Sequence, residues 1–190
     1  MNFRYLGFGL TVALCLTGRI DPQTNQQQQK PVTEPQYVDS FYSVDSAGQL
    51  TELERQNVTT FHTKTRALPG YATVKMLAEF KPGHSSVRLP PDARFLVKGR
   101  IPTIDPASRF ELRLLKASKG HREILMTQGH GTLLGGSAAS KLDEGALPVR
   151  FEEYGADSYR ITPMPPLAAG EYALGSPGFV TQLFCFGVDR

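Results

Sequence analysis

Residues 158–190, SYRITPMPPLAAGEYALGSPGFVTQLFCFGVDR, hold three strand-forming runs separated by proline and glycine breaks, the pattern of the closing strands of a small β-sandwich. Ser158 to Thr162 places Tyr159 and Ile161 on one face, and Pro163, Pro165 and Pro166 stop it from continuing as ladder. Gly170 to Leu174 places Tyr172 and Leu174 on one side of a second strand, with Gly170 expected to make the tight corner before it. The spacing Leu167-x-x-Gly170-x-Tyr172 matches the entry to the penultimate strand of many sandwiches, so Tyr172 is expected to be a buried corner residue. The last strand, from about Phe179 to Val188, carries Phe184, Phe186 and Val188 on one face and Leu183, Cys185 and Gly187 on the other. Both faces are apolar, which predicts a central or covered strand. Gly170, Tyr172, Phe184, Cys185 and Phe186 are therefore structural candidates, and Cys185, between phenylalanines, reads as a small buried hydrophobe.

The chain has 190 residues, enough for one core of ordinary size. Its 18 glycines and 14 prolines, spread among short apolar runs, favour an all-β chain rich in turns. A net charge of +3 without clustered Lys and Arg gives no footprint for nucleic acid. Arg4 followed by the apolar run Leu6 to Leu16 is too short to span a bilayer and suits a signal peptide cleaved after Gly18. Cys15 opens a lipoprotein alternative, although Leu14 before it is not the small residue that such a site favours. A membrane contact is expected only through lipidation there. Without Cys15, Cys185 has no disulfide partner.

Four segments follow: a signal peptide over 1–18, a disordered Gln/Pro-rich spacer over 19–36, an N-terminal hairpin region over 37–69 and a β-sandwich domain over 70–190. The spacer holds Gln26 to Gln29 and almost nothing apolar. Phe41 to Val44 and Gln49 to Leu53 form a hairpin about Asp45 to Gly48, although Glu52 to Gln56 could also start a helical turn. Ala67 to Gly70 breaks the chain, and the domain boundary is placed there. Tyr71 to Phe80 fits a strand better than a helix because it is short and flanked by Gly and Pro. Arg109 to Lys116 alternates Phe110, Leu112 and Leu114 against Arg109, Glu111 and Arg113, and Arg122 to Thr127 returns as its hairpin partner with Ile124 and Met126 facing in. Gly129 to Gly136, GHGTLLGG, lacks both the phosphate-loop ending and the dinucleotide spacing, and reads as a mobile or bulged connection. The sum is an Ig-like antiparallel β-sandwich of about seven strands with an N-terminal β-hairpin extension.

Phe41-Tyr42-Ser43-Val44-Asp45, the run Pro166-Leu167-Ala168-Ala169-Gly170-Glu171-Tyr172-Ala173-Leu174 and the ending Phe184-Cys185-Phe186-Gly187-Val188-Asp189 resemble a group of exported bacterial proteins with β-rich C-terminal domains. The resemblance covers most of residues 37–190 and implies a cell-envelope location, but no activity.

No catalytic, cofactor or metal constellation is expected. His62, His84, His121 and His130 lack metal-ligand spacing, and His84 and His130 read as exposed loop residues. Gly135-Gly136-Ser137-Ala138-Ala139 is no nucleophile elbow. Glu152 and Glu153, neighbours on a strand, point to opposite faces and make a poor acid/base pair. The expectation is a non-enzymatic module that is periplasmic, at the cell surface or extracellular, with a protein partner and no nucleic acid. A secreted hydrolase or carbohydrate-binding accessory domain is one alternative, and a subunit of a surface fibre or secretion apparatus is another.

Overall fold

Strand formation follows the alternation of side chains along the chain and extends well beyond the runs expected. The computed structural model describes residues 33–132, 135–139, 145–177 and 179–190, all within one unit, Pro31–Arg190. The N-terminal strands are β1 (Phe41–Val44), β2 (Leu50–Glu52), β3 (Glu54–Asn57), β4 (Thr60–Leu68) and β5 (Tyr71–Phe80). The middle holds β6 (Arg88–Leu89), β7 (Arg94–Lys98), a 3-10 turn (Pro106–Ser108), β8 (Glu111–Ser118) and β9 (His121–Thr132). The remainder holds β10 (Gly135–Ala139), β11 (Ala146–Leu147), β12 (Val149–Tyr154), β13 (Ser158–Pro163), β14 (Gly170–Ser176) and β15 (Phe179–Val188). Fifteen strands occur among the described residues, eleven of them from β5 onward where about seven were expected, and no α-helix occurs there.

They form two sheets. The smaller is antiparallel, in the order β12-β13-β7-β1-β2. The larger follows β3-β15-β14-β8-β9-β5-β4, with β10 beside β9, β11 beside β8 and β6 parallel beside β15. One sheet is a half-barrel.

Two cores explain the apolar patterning. The first joins Phe41, Phe95, Val97 and Ile161 of the small sheet to Phe110 and to Leu112, Tyr172, Leu174, Phe184, Phe186 and Val188 of the large one. Phe95 and Phe186 meet at 4.8 Å between ring centroids, and Phe41 meets Phe110 edge-on at 5.6 Å. The second core lies on the other face of the large sheet and holds Ala78, Phe80, Leu115, Ile124, Ala173, Leu183 and Cys185. β15 sits between β14 and β3 and feeds both, which is why neither of its faces is polar.

Several expectations need correction. The hairpin of β1 and β2 is no extension: β1 pairs with β7, and Phe41 is 2% exposed in the main core. The boundary expected at Ala67 to Gly70 is instead the turn joining β4 to β5, with Gly70 at φ +77°, a conformation that the missing Cβ permits. The end of the expected spacer also belongs to the domain. Pro35 is buried, and the Glu34 carboxylate accepts from Ala156 N (2.7 Å), Asp157 N (3.2 Å) and Ser158 Oγ (2.6 Å) at the β12–β13 turn. The signal segment and Cys15 lie outside the described residues. Finally, the charged side of β8 is not solvated. Arg113 is 2% exposed, bonded to Glu111 at 2.5 Å, whereas Leu114 is 48% exposed.

Candidate functional site

β9 is the longest strand, and its neighbours change along its length. β8 pairs with it only over His121 to Glu123, β10 from Gln128 to Thr132, and β5 along nearly all of it. An extra residue, Met126, bulges from β9 opposite the Met76–Leu77 step. Beyond that bulge β4, β5, β9 and β10 continue as an arm covered on neither face: Val74 and Met76 are 40% and 39% exposed on one side, and Leu68 and Tyr71 are 53% and 40% exposed on the other.

Register sorts the two faces. Phe61, Thr63, Thr65, Ala67, Ala72, Val74, Met76, Thr127, Gly129 and Gly131 share a face with no charge on it. The opposite face carries Lys64, Arg66, Tyr71, Thr73, Lys75, Gln128 and His130, which line a cleft of about 420 Å³. Tyr71 stacks on His130 at 5.6 Å with 23° between the rings, and its hydroxyl bonds Nδ1 of that imidazole. One end of the Gln128 amide lies 3.1 Å from His130 Nε2; the other, Oε1, is buried with no partner among the described residues. Arg66 and Lys75 have no ion-pair partner among the described residues.

Where the arm meets the body, Glu123 is 4% exposed and collects Lys64 Nζ at 2.8 Å, His121 Nε2 at 3.2 Å and His62 Nε2 at 3.3 Å. Burial pushes its carboxyl up, but the bonds from Lys64 and His121 and the charges of Lys64 and His62 outweigh that and hold it below the ordinary carboxylate range. No family model, curated protein or solved structure matches this chain.

A second polar cluster lies on the second-core face. Arg122, fully buried, donates from Nε to Pro82 O (2.9 Å) and pairs with Glu54 (3.4 Å) and Glu171 (3.7 Å). Glu171 also receives Ser85 N at 2.9 Å and Arg88 Nη1 at 2.6 Å. Arg88 reaches it across Gly187, where a Cβ would collide with the guanidinium. Burial raises the Glu54 carboxyl, yet Ser85, Arg122, Gln56 and Ser86 together bring it below its ordinary value. This cluster ties β3, β9, β14 and the residues around Ser85 together. Among the described residues, no group of three or more His, Cys, Asp and Glu is arranged to hold a metal ion.

The residues singled out in the closing strands lie in the scaffold, away from the arm. Tyr172 is 3% exposed, donates to Ala168 O at 2.6 Å and stacks on Phe186 at 5.5 Å; burial raises its phenol. Gly170 is not the corner. It opens β14 without a positive φ, and Leu114 Cδ1 and the Tyr172 hydroxyl would lie 3.3 and 3.4 Å from a Cβ there. Phe184 tilts against Phe41 at 5.2 Å. Cys185 is fully buried, and its thiol is pushed up to about 12. Glu152 and Glu153 pair with different arginines, Glu152 with Arg150 (3.4 Å) and Arg160 (3.9 Å), Glu153 with Arg100.

Two readings of the glycine-rich run are overturned. Gly129 to Gly131 is not a connection but the end of β9, paired on both sides, and His130 is a half-buried strand residue rather than an exposed loop residue. The cationic face itself was missed. Its signal was present in Lys64-x-Arg66 and Thr73-x-Lys75, two alternating runs about the Pro69-Gly70 turn, which a hairpin brings onto one side.

Proposed function

We propose that the protein is a non-enzymatic interaction module of the bacterial cell envelope that meets a protein partner along the arm. The observation that carries this reading is the free outer strand: β4 runs for nine residues and, among the described residues, pairs only with β5. A strand with one open side can be extended by a partner's strand, with backbone bonds giving affinity and alternate side chains giving selectivity. Export is supported by Arg4 and the apolar run Leu6 to Leu16, and by the resemblance to exported bacterial proteins. We also read the two-sheet body as an Ig-like sandwich. Its support is the Tyr172 hydroxyl, bonded to the backbone four residues upstream in the manner of a tyrosine corner.

Photo-cross-linking in cells tests the reading, with the reactive residue at Thr63 of β4 or, as a control, at Glu152 on the edge of the small sheet. One protein adduct from Thr63 and none from Glu152 is expected. Equal adducts from both, or none, overturn it. Adducts formed between two copies of the chain would turn the reading to a fibre or assembly subunit. Recovery from the cytoplasm with residues 1–18 attached would overturn export. The alternative of a carbohydrate-binding accessory domain is favoured by one observation, the cationic cleft.

A further inference from the structure

We propose that the cleft on the cationic face of the arm binds a carboxylated saccharide. The inference goes beyond the protein contact at β4 and does not rest on it.

Arg66 and Lys75 stand on adjacent strands with no acidic partner among the described residues, so the site offers positive charge that nothing in the described fold neutralises. Lys64, the third cation, is already engaged by Glu123. An anion is therefore recognised chiefly by Arg66 and Lys75. Tyr71, 40% exposed and backed by His130, offers a held ring of the kind on which the C–H face of a sugar packs. The Gln128 side chain adds a demand of the opposite sign. Gln128 is 8% exposed, and its Oε1 is a buried acceptor with no donor among the described residues. Gln128 lines the cleft and carries the amide able to meet a ligand hydroxyl there. Carboxylate, hydroxyl and apolar ring face together describe a uronic-acid-like ring.

Other anions fit less well. Phosphate sites are built largely from free backbone N–H groups, whereas β5 and β9 are hydrogen-bonded on both sides here and the charges facing the cleft come from side chains. An acidic peptide supplies carboxylates but neither the ring face nor hydroxyls beside the charge. The volume falls in the usual range for small-ligand sites, about 300–1,000 Å³. All the lining residues stand on paired strands, which holds their geometry without a ligand.

The test is calorimetric titration of the exported protein with oligogalacturonate, its fully methyl-esterified form, inorganic phosphate and an oligoglutamate peptide. Oligogalacturonate is expected to bind, with the methyl ester at least about tenfold weaker, because esterification neutralises the carboxylates while keeping the ring hydroxyls and ring faces. Arg66→Ala and Lys75→Ala should each weaken it about tenfold, and Tyr71→Ala likewise, with unchanged melting temperatures because these side chains are outside both cores. The proposal is overturned by absent binding, by equal binding of the ester, by equal or tighter binding of phosphate or oligoglutamate, or by full affinity in the Arg66 and Lys75 variants. Loss of saccharide binding with the Thr63 adduct intact would remove this inference and leave the protein contact standing.

Discussion

Arg122 shows most sharply what a single residue does here. Its guanidinium is fully buried, with Glu54 and Glu171 as counter-charges and Pro82 O as acceptor. Arg122→Ala would leave two carboxylates in the interior without their shared cation, and such a break costs about 3–5 kcal/mol. Urea denaturation should show that loss, and a change within about 0.5 kcal/mol, the range of ordinary surface substitutions, would refute the role. None of this was legible from sequence. Alternation tells which residues share a side of a strand, and it set Arg122 on the side of Ile124 and Met126 and Arg113 on the side of Arg109 and Glu111, without showing that those sides would be enclosed. The second core encloses both arginines on its face of the large sheet, where Arg122 meets Glu54 and Glu171 and Arg113 meets Glu111. Tyr172 was easier to read, because a ring two residues after a glycine and opposite aromatic strands has few other places to go.

At the scale of elements, β15 is the strand on which both cores close. Deleting residues 179–190 removes Phe184, Phe186 and Val188 from one core and Leu183 and Cys185 from the other. Truncation of a single buried phenylalanine already costs about 3–5 kcal/mol, so the shortened chain should lose its cooperative unfolding transition in calorimetry. A sharp transition in the truncated protein would mean that β14 can close the sheet alone. The turn of the β8–β9 hairpin was legible because polar residues separate two alternating runs, but the pairing stops at Glu123, short of Ile124 to Thr127 in the expected partner run. The far half of β9 was not, because Gly129 and Gly131 remove the side chains on which a strand reading depends. The ladder there is carried by backbone bonds to β5 and β10 on its two sides. That is also why the cationic cleft went unseen: it exists only once three strands are placed side by side.

For the whole molecule, three carboxylates act as clasps. Glu34 ties the residues before β1 to the β12–β13 turn, Glu54 joins β3 to Arg122, and Glu123 anchors the base of the arm. The Glu34 carboxyl is lowered chiefly by the bond from Ser158 and then by Ala156, while for Glu54 and Glu123 burial works against a larger set of bonds and charges. All three lie below the ordinary 4.5, so each favours the folded state fully above that value and loses its contribution as the pH falls through the lowered folded value. Urea midpoints should therefore be steady from neutral pH to about 5 and decline below about 4.5, with a shallower decline in Glu34→Gln. A flat acid limb would count against the clasps. The all-β class was legible in the glycine and proline punctuation. The count and division of strands were not, since a boundary and a tight hairpin turn carry the same residues.

β9 carries one consequence of a different kind. It is a continuous strand of twelve residues, roughly 40 Å long at the usual rise, whose near end is laced to β8 and β5 and whose far end forms the middle of the arm. A tug along the arm is therefore resisted by many backbone bonds loaded in parallel rather than opened one after another. The arm transmits such a load into the body through β9 rather than peeling from its tip.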